Sequence, residues 1–156
     1  MRIVRFSPKP NPDGSDSGLG TDPLFGVLED DGATISVISG DPIYHGITKS
    51  GSSTELSKVR LLAPVIPRSK IVCIGKNYSD HAAEMGGEVP SEPLMFLKPN
   101  TSVIGPGDTI VWPKLSENIS YEAELAVVIG RLCKDVPKER VNDVIFGYTV
   151  ANDVTA

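Results

Sequence analysis

The chain opens on an alternating stretch in which Ile3, Val4 and Phe6 predict a strand over residues 1–6. Residues 7–23 are Pro, Asn, Asp, Gly and Ser with only Leu19 apolar, which reads as a long flexible turn. Two β-rich runs, Leu24–Leu28 and Thr34–Ile38, flank Glu29-Asp30-Asp31-Gly32, and an Asp-Gly pair between such runs predicts a hairpin. Residues 47–54 read as loop. The first 57 residues therefore form a small β-rich N-terminal domain with little catalytic character.

The texture changes from Val59 onward. Pro64, Pro67 and Gly75 punctuate a segment that ends in a fully apolar strand over 71–74. A strand apolar on both faces is expected to be central in a sheet. Ser79 or Asp80 then caps a short helix over 81–85. Strands follow over 95–97, 109–111, 121–129 and 144–150, with a helix over 136–143 that has Pro137 in its first turn. Residues 58–156 thus read as part of a second, larger domain. With 15 Gly and 13 Pro spaced among β-branched runs, the fold class is mainly β with short helices.

Composition narrows the function classes. Hydrophobic residues make up 40% and charged residues 22% of the 156 positions, values of a packed globular chain. The longest apolar runs, such as residues 125–129, fall far short of the ~20 residues that span a bilayer, and no leader pattern opens the chain. No membrane partner is expected, and a cytoplasmic location is the default. The net charge is −5 and the 15 basic residues are spread thinly, which argues against nucleic acid as a partner. Cys73 and Cys133 each sit in apolar runs and are expected as buried free thiols.

Several constellations carry chemistry, each beside a plainer alternative. On a strand, Glu122, Glu124 and Ala126 share one face while Ala123, Leu125 and Val127 share the other. Two carboxylates ~7 Å apart call for a cation between them, unless the strand simply faces solvent. Asp153 stands where an apolar strand ends, to project into a cleft or to cap a helix. His81 and Glu84 are three apart, so on a helix the carboxylate orients the imidazole as a general base, or both decorate an exposed turn. Lys98 follows a short strand, to meet a substrate carboxylate or to reach water. Lys76 and Asn77 are placed to touch a ligand near His81. His45 reads as a surface or packing residue, and Trp112 and Tyr121 as core or rim aromatics.

In order, the segments GKNYSDHAAE (75–84), MFLKPNTSVIGPGD (95–108), ISYEAELAVVIG (119–130) and IFGYTVANDVTA (145–156) resemble consecutive motifs of the fumarylacetoacetate hydrolase family. The resemblance is to its acylpyruvate hydrolases and its 2-hydroxyhepta-2,4-diene-1,7-dioate isomerases with their decarboxylase relatives. It implies a mixed β-sandwich or β-roll behind a small N-terminal domain, assembled as a homodimer. It further implies a divalent ion, Mg²⁺ or Mn²⁺ with Ca²⁺ as a stand-in in crystals, held by Glu122, Glu124 and Asp153. The implied catalytic dyad is His81 with Glu84, on a segment that orders over the ligand. Family members continue past the Asn-Asp-Val-Thr-Ala motif with an Arg-Asp-x-x-Gln helix, a lysine and more strands, so the chain is expected to be the N-terminal part of such an enzyme. The implied substrate is a small 2-oxo acid. The implied reaction is hydrolysis of a carbon–carbon bond in an acylpyruvate or fumarylacetoacetate-like compound through a metal-stabilised enolate, with isomerisation or decarboxylation of a 2-hydroxydienoate as the alternative. A truncated, metal-free module that binds only a partner is the competing class.

Overall fold

A computed structural model of the chain describes residues 1–84 and 86–156; Met85 and the side chains of His81, Ala82 and Glu84 lie outside the described residues. Strand β1 (Arg2–Pro8) pairs antiparallel with β2 (Leu24–Leu28), and β2 with β3 (Thr34–Ile38). After a single helical turn, α1 (Pro42–His45), strand β4 (Lys49–Glu55) adds to β3, and β5 (Val59–Leu62) adds to the far side of β1. The sheet order is β4-β3-β2-β1-β5. Its inner face buries Phe6, Ile35, Val37 and Val59, with Val4, Leu24 and Leu61 packed against them.

The hairpin forms where the Asp-Gly pair predicts it. Gly32 takes φ +70°, a conformation that a side chain would strain, and the Glu29 and Gly32 amides close the turn. Asp31 locks it: its carboxylate accepts from the Ala33 and Thr34 amides at 2.9 Å and from the Thr34 hydroxyl at 2.6 Å. These bonds, the hydroxyl first, hold the Asp31 carboxyl at about 2, below its ordinary 3.8. A depressed folded value means the stabilisation is complete above the ordinary value and is lost as pH falls through the folded one. Asp31→Asn is therefore expected to lower the midpoint of thermal unfolding at neutral pH, and the gap from the parent should close as the pH is taken from 3.8 to 2. A gap that persists unchanged at pH 2 would count against this role.

Several elements differ from the pattern. Residues 47–54 were expected as loop, yet β4 runs through them, because its Ser, Gly and Thr residues make an exposed edge strand held by backbone bonds rather than by apolar alternation. The 7–23 segment is knit by side chains: Asn11 donates to Ser15 and to the Asp16 carbonyl, Asp13 accepts from the Ser15 amide, and Leu19 packs onto the core. Strand β5 lies just beyond residue 57 but completes the first sheet.

The rest of the chain makes two antiparallel ribbons. Strand β6 (Lys70–Gly75) leads into helix α2 (Ser79–Glu84) and pairs with β7 (Leu94–Pro99). Strand β8 (Ala123–Ile129) pairs with β9 (Ile145–Asn152). Residues 109–111, expected as a strand, pair with nothing among the described residues; nearby, Asp108 binds the Gly105 amide and Arg60 of β5. Residues 136–143 form a 3₁₀ segment over Lys138–Asp143 rather than an α-helix, with Pro137 extended in front of it. Its Val, Asn and Asp residues lower helix propensity. The expectation that β6 is central also changes, since among the described residues it has one neighbour and Val72 is 60% exposed. No helix among the described residues is long and apolar enough to cross a membrane.

Candidate metal centre

Facing residues of an antiparallel pair share a side of the ribbon. In β8–β9 the register sets Ala123 opposite Asn152 and Glu124 opposite Ala151. The pairing continues past the strand ends: the Asp153 amide donates to the Glu122 carbonyl at 2.8 Å, and Ser120 and Thr155 exchange both backbone bonds. The Asn152 side chain accepts from the Glu122 amide at 3.1 Å. Glu122 and Asp153 are thus cross-strand neighbours, and Glu124 lies two residues on along the same face. Asp153 caps no helix, because the residues after it extend the ladder.

Burial along β8 runs against the polarity of its residues. Glu122, Glu124 and Ala126 are half-buried, whereas Ala123, Leu125, Val127 and Ile129 are exposed. The acidic face is turned inward, toward the β6–β7 ribbon. There, Cys73 faces Phe96 and Ile71 faces Lys98 across the ladder, so Cys73 and Lys98 share one face.

Lys98 bridges the two ribbons. Its ammonium donates to the Val154 carbonyl at 2.9 Å and to the Thr155 hydroxyl at 3.3 Å, and it forms an ion pair with Asp153. Both partners are well sheltered, with side-chain exposures of 24% and 10%. Asp153 Oδ1 is cut off from solvent and has no aligned hydrogen-bond donor; the Lys98 charge is what faces it. Lys98, expected to meet a substrate carboxylate or to reach water, here meets a carboxylate of the protein itself.

Cys73 belongs to this site, which the sequence pattern did not reveal. Burial pushes its thiol up, the nearby Asp153 and Glu124 carboxylates push it further up, and Lys98 opposes them. The thiol is therefore within electrostatic reach of all three. Its inward position follows from the alternation Ile71, Cys73, Gly75, which is half-buried while Val72 and Ile74 are exposed. Cys133 is free but exposed, against the expectation of a buried thiol, because it lies in the turn after β8 and not in a strand.

The other predicted residues lie on further elements of the chain. Lys76 leaves β6 with φ +53°, a left-handed conformation uncommon for a residue with a side chain. Together with Asn77, Val89, Glu92 and Leu94 it lines a cleft of about 150 Å³. His81 and Glu84 fall within α2, but their side chains lie outside the described residues. His45 is the exposed last residue of α1, its ring 3.3 Å from the Asp41 carbonyl. Trp112 and Tyr121 are exposed, and the Trp112 indole donates to the Ser116 carbonyl.

Glu122, Glu124 and Asp153 match a hard divalent ion in donor type, in face and in strand position. The sheltered Asp153 Oδ1 stands against the positive charge of Lys98. No group of three or more His, Cys, Asp or Glu side chains among the described residues is drawn close enough to grip an ion as it stands.

Comparison with known proteins agrees with this architecture. Residues 70–156 match the family described as fumarylacetoacetate (FAA) hydrolase C-terminal, and residues 1–64 match Rv2993c-like, N-terminal. Protein Rv2993c of Mycobacterium tuberculosis is 55% identical over 109 residues, covering 70% of this chain and 41% of that protein. Oxaloacetate tautomerase YisK of Bacillus subtilis is 48% identical over 105 residues, covering 65% of this chain and 35% of that protein. The crystal structure of 5-carboxymethyl-2-hydroxymuconate delta-isomerase from Mycobacterium smegmatis superimposes with a TM-score of 0.80 at 40% identity, covering all of this chain and 56% of that one. The chain thus spans about half the length of that structure, and less of the two relatives.

Proposed function

Because the chain belongs to the fumarylacetoacetate hydrolase family, we propose that the protein it comes from is a metal-dependent enzyme that moves a proton on the enol or enolate of a small 2-oxo acid. The observation that carries this proposal is the cross-strand register that sets Glu122, Glu124 and Asp153 on one inward face. The relatives are named as an isomerase and a tautomerase, which supports proton transfer over cleavage.

Glu122, Glu124 and Asp153 would hold Mg²⁺ or Mn²⁺, which when bound supplies Lewis-acid stabilisation of negative charge developing on the 2-oxo group. The remaining steps fall to the chain's own side chains. Lys76 and Asn77, which line the cleft, orient the substrate's polar groups. His81 takes the proton from the carbon next to the oxo group and returns it at a new position, and Glu84 holds the imidazole and balances its charge.

A second reaction, hydrolysis of a carbon–carbon bond, uses the same groups. His81 then takes its proton from a water molecule that attacks the distal carbonyl. The family's name and the His81-x-x-Glu84 spacing favour it.

The test is an assay of the full-length protein with Mn²⁺ on oxaloacetate, an acylpyruvate and a 2-hydroxydienoate. Keto–enol exchange or double-bond migration that stops on chelation is the expected result. Acylpyruvate cleavage would make hydrolysis the reaction. Inertness toward all three, with Mn²⁺ present, would overturn the proposal.

A further inference from the structure

Lys98 is the one cation sheltered at the acidic face among the described residues, and its position raises a question of charge that the proposed metal site leaves open. Its ammonium is ion-paired with Asp153 and tied to the Val154 carbonyl and the Thr155 hydroxyl. The lysine stem comes from β7, whereas every group it binds comes from the segment after β9, so the contact links the two ribbons. Two hydrogen bonds anchor the ammonium, and its charge faces the Asp153 carboxylate. A lysine held this way has its charge directed at a carboxylate of the protein itself.

We infer that Lys98 is the built-in counter-ion of the acidic face: it neutralises Asp153 until a divalent cation binds, and it gives the carboxylate up when that happens. The inference rests on the metal site proposed above and assigns Lys98 a role other than gripping substrate. Its physical basis is direct. Inward-turned carboxylates repel one another and lose hydration, and a buried carboxylate without a partner is costly. A fixed ammonium removes that cost, but it also competes with the incoming ion for the same oxygen and repels it at short range. Lys98 therefore keeps the site folded without metal and keeps metal binding weak enough to reverse. The backbone and hydroxyl anchors at Val154 and Thr155 give the ammonium a place to remain once Asp153 has turned away.

The experiment is titration of the full-length protein with Mn²⁺ alone, followed by calorimetry, for the parent and for Lys98→Met, Lys98→Gln and Lys98→Arg. Lys98→Gln keeps a donor for the Val154 carbonyl while losing the charge, which covers the case in which Lys98→Met does not fold. Both neutral variants should bind Mn²⁺ tighter, on the order of tenfold, and Lys98→Arg should stay near the parent. Equal or weaker binding by the folded neutral variants overturns the inference. A second measurement uses the unaltered protein: labelling of Lys98 by an amine-acylating reagent, read by mass spectrometry, should rise several-fold when Mn²⁺ is added. Unchanged or reduced labelling overturns it as well. If the parent binds no Mn²⁺, the metal site itself fails; if the parent binds and the neutral variants do not tighten, only the counter-ion role fails.

Discussion

Replacing Glu124 with alanine should abolish Mn²⁺ binding in calorimetry and lower turnover by at least about 10²–10³-fold, the scale on which single groups that stabilise transition-state charge act. Glu124 is the carboxylate of the inward face that lies within β8, two residues on from Glu122, whose cross-strand neighbour is Asp153. Its removal takes away one of three anionic donors, and a hard cation has no comparable replacement among the neighbouring Cys73, Ala126 and Ala151. The backbone ladder does not depend on the side chain, since Glu124 pairs with Ala151 through main-chain bonds. Far-ultraviolet circular dichroism should therefore be unchanged, and this separates loss of the site from loss of the fold. A Glu124→Ala protein that binds Mn²⁺ normally and turns over at the parent rate would remove Glu124 from the site.

The strand periodicity made this face legible before any coordinates. Glu122-x-Glu124 reports a shared side through the two-residue repeat alone, and the hairpin at Asp31-Gly32 follows from turn chemistry alone. The sequence pattern misleads where the partner surface decides. Residues 71–74 are apolar on both faces, which implies cover on both, yet among the described residues β6 pairs only with β7 and Val72 stands open. In β8–β9 the open side carries Leu125 and Val150, 60% and 83% exposed, while the acids point inward. Apolar residues record the surface a strand is built to pack against, whether or not that surface is in this chain. Relatives of about twice this length supply a reason for such faces.

Other features depend on contacts that no local pattern encodes. The Lys98–Asp153 pair joins residues 55 apart in sequence, and it forms only because two ribbons meet. Cys73 looked like an ordinary small apolar residue, and its place beside Glu124 and Asp153 comes from which side of β6 turns inward. Strand β4 was missed for the opposite reason. It has almost no apolar residues to alternate, and its structure comes from backbone pairing with β3.

His81→Asn should lower turnover by about 10²–10⁴-fold, the usual contribution of a positioned proton-transfer group, while leaving Mn²⁺ affinity close to the parent value. The two effects separate because the dyad and the acidic face come from different elements. His81 and Glu84 belong to α2, which follows β6, whereas Glu122, Glu124 and Asp153 belong to the β8–β9 ribbon. Asparagine approximates the size and one polar edge of the imidazole but cannot carry a proton at neutral pH. The decisive readout is exchange of the substrate's hydrogen next to the oxo group for deuterium in heavy water, followed by nuclear magnetic resonance. In the parent this exchange should keep pace with turnover or exceed it. In His81→Asn it should fall by the same factor as turnover, and Glu84→Gln should show the same pattern with a smaller loss, because the imidazole is still present but less well held. If exchange continues at the parent rate in His81→Asn, the proton is moved by another group, and Glu84 loses its assigned partner.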